Sequence, residues 1–413
     1  MLSPYRVLDL TNERGLLCGQ ILGDLGADVV QVEPPGGSPA RSIGPFYGGE
    51  AHPDRSLFWW AYNRNKRAVT LDLDSARGRE LFLRLVRSAD FLIESDEPGR
   101  MAARGLGYDD LATANPGLIY VSITPFGQEG PKAHYAATDL TVWAAGGPLA
   151  LAGDYDRPPV RVSVPQAFLH GCADAAVGAL VALFARHATG RGQHVDVSAQ
   201  HSVTQATFGA TLYKPLGLAQ GHRVSGGITY GPLTMRWVYP AKDGYVSVSL
   251  LFGSAAGPMT HRLMAYICEE GFCDEATRDK DWDGYYELVF SGREPVEEFE
   301  RVKQVVESFT KTRTKAELLR AALDRGLLIA PIVTVDEVAA SEQLAARAYW
   351  RDLEHAELGA RVRYPGPFVQ FSETPIAYRL RPPCVGEHNR DVFVDELGLS
   401  RGELAELEAQ GMV

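Results

Sequence analysis

Apolar positions along the first half of the chain alternate between two periods. Residues 5–10 (YRVLDL) form a short apolar run, residues 16–25 repeat at helical spacing, and residues 28–33 (DVVQVE) return to strand character before the breaker PPGG. Strand, loop, helix, strand opens a βαβ unit, in which the two strands run parallel. The pattern continues with predicted strands at 68–73, 90–93 and 118–123 and a helix at 76–88. A long helix at 166–187 is closed by Gly190 as a natural C-cap, and a further strand follows at 194–197. This predicts an α/β fold with an open parallel sheet, Rossmann-like in layout.

The texture changes near residue 218. GLAQGHRVSGGITYGP is glycine-rich and reads as a linker or a loop at an active site. WVYPAKDGYVSVSL carries a hairpin signal at Asp243-Gly244, charged helical segments run from about 260 to 325, and a short helix ends the chain at 401–410. The expected organisation is a large α/β domain beginning with residues 1–215, a smaller α+β domain with its linkers at 216–330, and a segment at 331–413 that rejoins the large domain.

A chain of 413 residues, 45% hydrophobic and 23% charged, is long enough for more than one packed core. Its net charge of −11 disfavours non-specific nucleic-acid binding, so a polyanionic ligand needs local arginine and lysine clusters. No apolar run reaches the roughly 20 residues that cross a bilayer, and the first residues show no export signal. Five scattered cysteines (Cys18, Cys172, Cys268, Cys273, Cys384) include no C-x-x-C pair, which predicts a reducing cytoplasm and neither a disulfide framework nor a metal site.

Two basic clusters suggest phosphate binding. N-R-N-K-R at 63–67 packs three cations just ahead of a strand, and Arg100 and Arg104 follow the strand FLIES. Arginine offers a bidentate fork and lysine a point charge. A solvated loop is the plain alternative for each cluster. Rossmann and Walker glycine patterns, HExxH and G-x-S-x-G are all absent.

RVLDL…GQILGDLGADVVQVEPPGG, NRNKRAVTLDL, LIYVSITPFGQEGP, TGRGQHVDVS, APIVTVDEV, AARAYWRDLEH and CVGEHNRDVF follow one another in the order and spacing of a known family. Over essentially its whole length the chain resembles class III CoA-transferases, the CaiB/BaiF family. The resemblance implies a large open α/β domain built from both chain ends, a small domain on long linkers, and two chains interlocked as a dimer. It implies coenzyme A or acyl-CoA as substrate, with a carboxylic acid as second substrate and no metal. It places Arg14 and Gly15 near the pantetheine, Asn63, Lys66 and Arg67 near the phosphates, and Arg104 near the nucleotide end. Gly226 and Gly227 correspond to a glycine loop over the reacting acyl group.

The family's chemistry is covalent: an aspartate attacks the thioester, forms a mixed anhydride, and is released as coenzyme A thiolate returns. Between Asp156 and Asp174 this chain has no carboxylate, and the family register places Phe168 at the nucleophile. Three readings follow. The chain is the subunit without the nucleophile, paired with an aspartate-bearing homologue, as in succinyl-CoA-dependent transferases of the benzylsuccinate type. Or it is a self-sufficient homodimeric transferase, racemase or isomerase with displaced residues: His170 and Asp174, four apart on one helical face, or Asp139. Or it binds acyl-CoA without turnover. The racemase histidine position holds Thr138. Cys172, in an apolar helix, is expected to be inert, and Tyr135 and Trp143 are acyl-pocket candidates for which core packing is the plainer role. Arg161 and Arg223 hint at a dicarboxylate substrate.

Overall fold

The computed structural model describes residues 1–213, 215–217 and 223–413, so part of the glycine-rich stretch after residue 218 lies outside the described residues. The chain divides into two units. Met1–Pro148, Val162–Phe208 and Leu344–Val413 form the first, and Leu149–Arg161 with Gly209–Gln343 the second.

The first unit is built on β1 (Arg6–Asp9), α1 (Leu16–Asp24), β2 (Asp28–Glu33), α2 (Leu57–Asn63), β3 (Lys66–Thr70), α3 (Ala76–Val86) and β4 (Phe91–Glu94). It continues with α4 (Arg100–Ala103), α5 (Tyr108–Ala114), β5 (Ile119–Thr124), α6 (Asp139–Ala145), α7 (Ala167–Thr189), β6 (His194–Ser198) and α8 (Ala199–Gln205). The six strands make one parallel sheet in the order β3-β2-β1-β4-β5-β6. Side chains of a strand alternate between the two faces. Leu8, Val30, Val32, Val69, Leu92 and Tyr120 therefore meet α3, α5 and the C-terminal residues Val392, Phe393, Leu404 and Leu407 on one face. Val7, Val29, Phe91, Ile93, Val121 and Ile123 pack on the other against Cys18 and Leu22 of α1 and Ala175, Ala176 and Ala179 of α7. Burial on both faces explains why these strands read as nearly continuous apolar runs.

The helix α7 is 23 residues long and, by length and composition, apolar enough to cross a bilayer, beyond the shorter apolar run expected from the sequence. Its Ala175, Ala176, Ala179, Ala182 and Leu183 belong to the core of the unit.

The second unit is α+β. Strands Val238–Ala241, Gly244–Val248 and Ile329–Ile332 form an antiparallel sheet, with a separate hairpin Gly227–Tyr230 and Leu233–Arg236. Helices Gly257–Glu269, Val296–Thr310 and Lys315–Arg325 cover a core of Leu233, Tyr239, Val246, Met264, Phe299 and Phe309. This unit also takes the strip Leu149–Arg161 out of the stretch expected to lie in the large domain. The Arg223 guanidinium ties that strip down by donating to the Asp154 carbonyl at 2.8 Å and the Arg157 carbonyl at 2.5 Å. Arg223 is thereby spent within the unit, while Arg161 is exposed.

One buried network sets the geometry at the end of β1. Lys66 and Asp9 are fully buried, and Lys66 Nζ donates to Asp9 Oδ2 at 2.8 Å, to the Leu16 carbonyl at 2.9 Å and to Gln31 Oε1 at 3.1 Å. Asp9 Oδ1 accepts from the Thr11 N–H at 2.9 Å and hydroxyl at 2.6 Å, and Gln31 Nε2 donates to the Thr11 carbonyl at 3.0 Å. Removing one partner of such a pair leaves an uncompensated buried charge. Lys66→Met is expected to destabilise the chain by about 3–5 kcal/mol, measured by urea unfolding at neutral pH; a loss below about 1 kcal/mol, the level of an exposed pair, would contradict the assignment.

Candidate functional site

The chain starts at β1 in the middle of the sheet, winds outward through β2 and β3, then crosses to β4 and winds the other way. Loops at the carboxyl ends of β1 and β4 therefore diverge, and such switch points are where open parallel sheets bind ligands. A cavity of about 290 Å³ lies there, with Asn12, Ser38, Leu73, Asp96, Arg100 and Arg104 in its wall.

The residues that shape this cavity are tied across the switch point. Asn12 N–H donates to Ser95 Oγ at 3.0 Å, and Ser95 Oγ donates to Asn12 Oδ1 at 3.0 Å, which also accepts the Arg14 N–H at 3.1 Å. Gly15 closes this loop because of space: a Cβ there would lie 2.4 Å from Thr11 Cγ2. On the other side, Glu33 receives Arg41 in a bidentate pair at 2.6 and 2.7 Å and the Ser38 N–H at 2.7 Å. The buried Arg41 guanidinium lies 3.8 Å from the centre of the Trp59 ring. Glu33, Arg41, Asn12 and Ser95 were not singled out from the sequence; their signal was position alone, at or just after the strand ends.

Arg104 and Arg100 are the basic candidates that the structure brings to this cavity. Arg104 donates to Asp74 Oδ1 at 2.7 Å and Asp96 Oδ2 at 3.3 Å, while Arg100 stays exposed with its Nε 3.9 Å from Asp96. The 63–67 cluster is a correction. It runs from the end of α2 into the first residues of β3 and so lies at the amino ends of the strands, the edge away from the cavity. Asn63 is buried and donates to the Trp59 carbonyl, and Lys66 is consumed by Asp9. Arg67 pairs with Asp28 at 2.7 Å and Glu396 at 2.5 Å. None of the three is free for a phosphate.

A second cavity, of about 220 Å³, lies by the loop after β5 and is lined by Arg14, Glu97, His134, Tyr135, Thr138 and Thr141 among others. The Arg14 guanidinium stands 5.6 Å from the centre of the Phe168 ring. Phe168 sits on the first turn of α7, nearly buried with Val142, Ala167, Ala199 and Val203. Phe168 thus presents a phenyl ring beneath a cation.

The displaced-residue candidates are occupied otherwise. Asp139 Oδ1 accepts from the Ala167 N–H at 2.7 Å and the Phe168 N–H at 3.4 Å, and Oδ2 from Gln166 N–H at 3.1 Å. It caps the N-terminus of α7, satisfying backbone donors that have no partner within the helix, and is corrected from acid/base candidate to cap. His170 and Asp174 share a helix face but no hydrogen bond or ion pair joins them among the described residues. The His170 ring lies 5.8 Å from Trp143, and Asp174 accepts from Gln205 Nε2 at 3.3 Å. Cys172 is buried, donates to the Arg14 carbonyl, and burial pushes its thiol up to about 12, which leaves it unreactive. Thr138 caps α6, and Tyr135 is exposed at the cavity mouth.

In the second unit, the Gly226 carbonyl accepts from Trp237 N–H at 2.7 Å and Val238 N–H at 3.2 Å, and its φ of 63° suits glycine. A Cβ on Gly227 would lie 2.0 Å from the Met235 carbonyl oxygen. Both glycines are therefore demanded by strand packing inside that unit.

Beside the first cavity, Glu94 ends β4 with its carboxyl buried. Loss of hydration pushes its pKa up to about 7, against hydrogen bonds from Ser122 and the Asp96 N–H that favour the charged form. Among the described residues no group of three or more His, Cys, Asp or Glu is placed to hold a metal ion.

This fold and this site were compared with known proteins. The chain belongs to CoA-transferase family III, whose model matches residues 2–389. It is 34% identical over 413 residues to the succinyl-CoA:(R)-benzylsuccinate CoA-transferase subunit BbsE of Thauera aromatica, covering 100% of this chain and 98% of the relative. It is 31% identical over 419 residues to the succinyl-CoA–D-citramalate CoA-transferase of Chloroflexus aurantiacus, again covering 100% of this chain and 98% of the relative. The crystal structure of a CaiB/BaiF family protein from Brucella suis superposes with a TM-score of 0.81 at 28% identity, covering 95% of this chain and 98% of that one. The protein is thus an enzyme of the CoA-transferase class, and coenzyme A thioesters are the substrates of that class.

Two measurements separate structural from chemical roles here. Asp139→Ala is expected to lower stability by about 1–2 kcal/mol through loss of the cap, read by chemical denaturation. An unchanged unfolding curve would refute the cap. Glu94 holds a proton in the folded chain between about pH 4.5 and 7 that the unfolded chain releases. Its contribution therefore destabilises the fold increasingly as pH rises through that window. Glu94→Gln should remove this slope, gaining about 2.5 kcal/mol more relative to wild type at pH 8 than at pH 5; parallel stability–pH curves would count against it.

Proposed function

We propose that this chain is the non-nucleophilic subunit of a heteromeric cytoplasmic CoA-transferase, working with a homologous chain that carries the aspartate. The observation that carries the reading is Phe168. At the family's nucleophile position it presents a hydrocarbon ring, packed with Val142 and Ala199 under the Arg14 guanidinium. The carboxylate that reaches the start of α7, Asp139, is engaged by the backbone N–H groups that open that helix. The cavity at the switch point, by contrast, keeps Arg104 and the Asn12–Ser95 tie. The likeness over the full chain to a protein named as a subunit of a succinyl-CoA:(R)-benzylsuccinate CoA-transferase supports the division of labour, with succinyl-CoA as donor.

In this reading the Asn12–Arg104 cavity takes the nucleotide end of an acyl-CoA. The partner's aspartate attacks the thioester carbonyl, the C–S bond breaks and coenzyme A leaves as thiolate. The thiolate then attacks the aspartyl carbonyl, releasing the first acid. The second acid's carboxylate displaces the thiolate in turn, and thiolate return on the new acyl group frees the aspartate. The sum exchanges one carboxylate for another on coenzyme A, and thioester energy is conserved.

Hydroxylamine trapping in the presence of succinyl-CoA tests the assignment. The purified chain alone is expected to give no trapped residue and no transfer, whereas the chain co-expressed with an aspartate-bearing homologue is expected to give trapping on the homologue. Transfer or trapping on the isolated chain overturns the proposal. Arg104→Gln is expected to weaken coenzyme A binding by tenfold or more in calorimetry.

A further inference from the structure

Arg14 lines a cavity of the first unit without a close carboxylate partner. Arg41, Arg67, Arg104 and Arg186 each hold at least one carboxylate within 3.0 Å. Arg14 has only Glu13, its chain neighbour, at 3.9 Å, and one hydrogen bond to the Ala137 carbonyl at 3.3 Å. A guanidinium carries five N–H donors arranged as a fork that matches a carboxylate. Most of that capacity is unused among the described residues. The side chain is about one-quarter exposed, and it lines the 220 Å³ cavity by the loop after β5.

The surroundings also favour a carboxylate. The guanidinium is seated on the Phe168 ring, which fixes its position while offering no counter-charge. Ala133, Ala136, Ala137 and Pro125 give the cavity apolar wall for a short carbon chain. Asp139 is held by the start of α7. The remaining carboxylate in the wall, Glu97, belongs to an exposed rim position.

We infer that the cavity between Arg14 and the Tyr135–Thr138 loop is a non-covalent binding site for the carboxylate of a short organic acid, with Arg14 as its fork and the Phe168 ring backing that guanidinium. The inference rests on the placement of Phe168 at the nucleophile position. Where an aspartate would form a bond to the acyl group, this chain instead holds a free acid by charge, so it parks one of the two acids exchanged by the complex. The size of the cavity suits an acid of about four carbons.

Titration calorimetry of the full chain with succinate, acetate and coenzyme A as probes tests this. Succinate is expected to bind at one site per chain. Arg14→Gln should weaken it at least tenfold, and Arg14→Lys should fall between. Phe168→Asp places a carboxylate under the guanidinium, so it should abolish succinate binding while the chain stays folded by circular dichroism. Acetate binding as tightly as succinate, with both lost in Arg14→Gln, still supports the site and reduces the ligand class to a single carboxylate. No succinate binding by a chain that binds coenzyme A overturns the inference and leaves the subunit proposal standing. Succinate binding that Arg14→Gln leaves intact also overturns it. Failure of the chain to bind coenzyme A counts instead against the proposed function.

Discussion

The buried ion pair between Lys66 and Asp9 is the constraint around which the first unit is organised. A lysine and an aspartate without access to water persist only if each spare donor and acceptor is matched. The matching partners are Gln31 on β2, the Leu16 carbonyl at the start of α1 and Thr11 in the loop after β1. The pair thus fastens three strands, a helix and the first site loop to one point. Even the packing of α1 obeys it, since a Cβ on Gly19 would lie 1.9 Å from Asp9 Oδ2.

From that point the site is assembled by short polar ties at the carboxyl edge of the sheet, and these ties are independent of the residue at 168. Asn12 and Ser95 join β1 to β4, and Glu33 and Arg41 set the loop after β2. The cap by Asp139 lets α7 begin without help from a side chain at position 168. Bond-making capacity and binding capacity therefore reside in separate interactions, and one can be absent without disturbing the other. This is the physical basis on which a chain can keep the scaffold of a transferase and leave the covalent step to another.

Much of the fold was legible in sequence because parallel strands buried on two faces leave runs such as VLDL, DVVQVE and LIYVSI, bounded by glycine and proline. The site was legible in part. Arg104 follows a strand and lines the cavity at the switch point. Asn63, Lys66 and Arg67 were misread because a cluster of cations reads alike at either end of a strand. The order of the chain held the missing signal: residues that precede a parallel strand sit at its amino edge, away from ligands. The roles of Asp139 and Arg14 were not legible, since capping a helix 28 residues away or sitting on a distant ring leaves no local pattern. The strip Leu149–Arg161 was assigned to the wrong unit for the same reason, its ties to Arg223 being remote in sequence.

The stacking of Arg41 between Glu33 and Trp59 has a kinetic side. Both ends of that guanidinium are fixed, by a bidentate carboxylate and by an indole face, so the loop from Pro34 to Ser42 already has a settled shape before any ligand arrives. A ligand meeting such a wall orders little of the protein on arrival, and the free energy of association is not offset by folding of a flexible loop. Association is then not slowed by the ordering of that loop, and differences among related ligands fall mostly in how long each one stays.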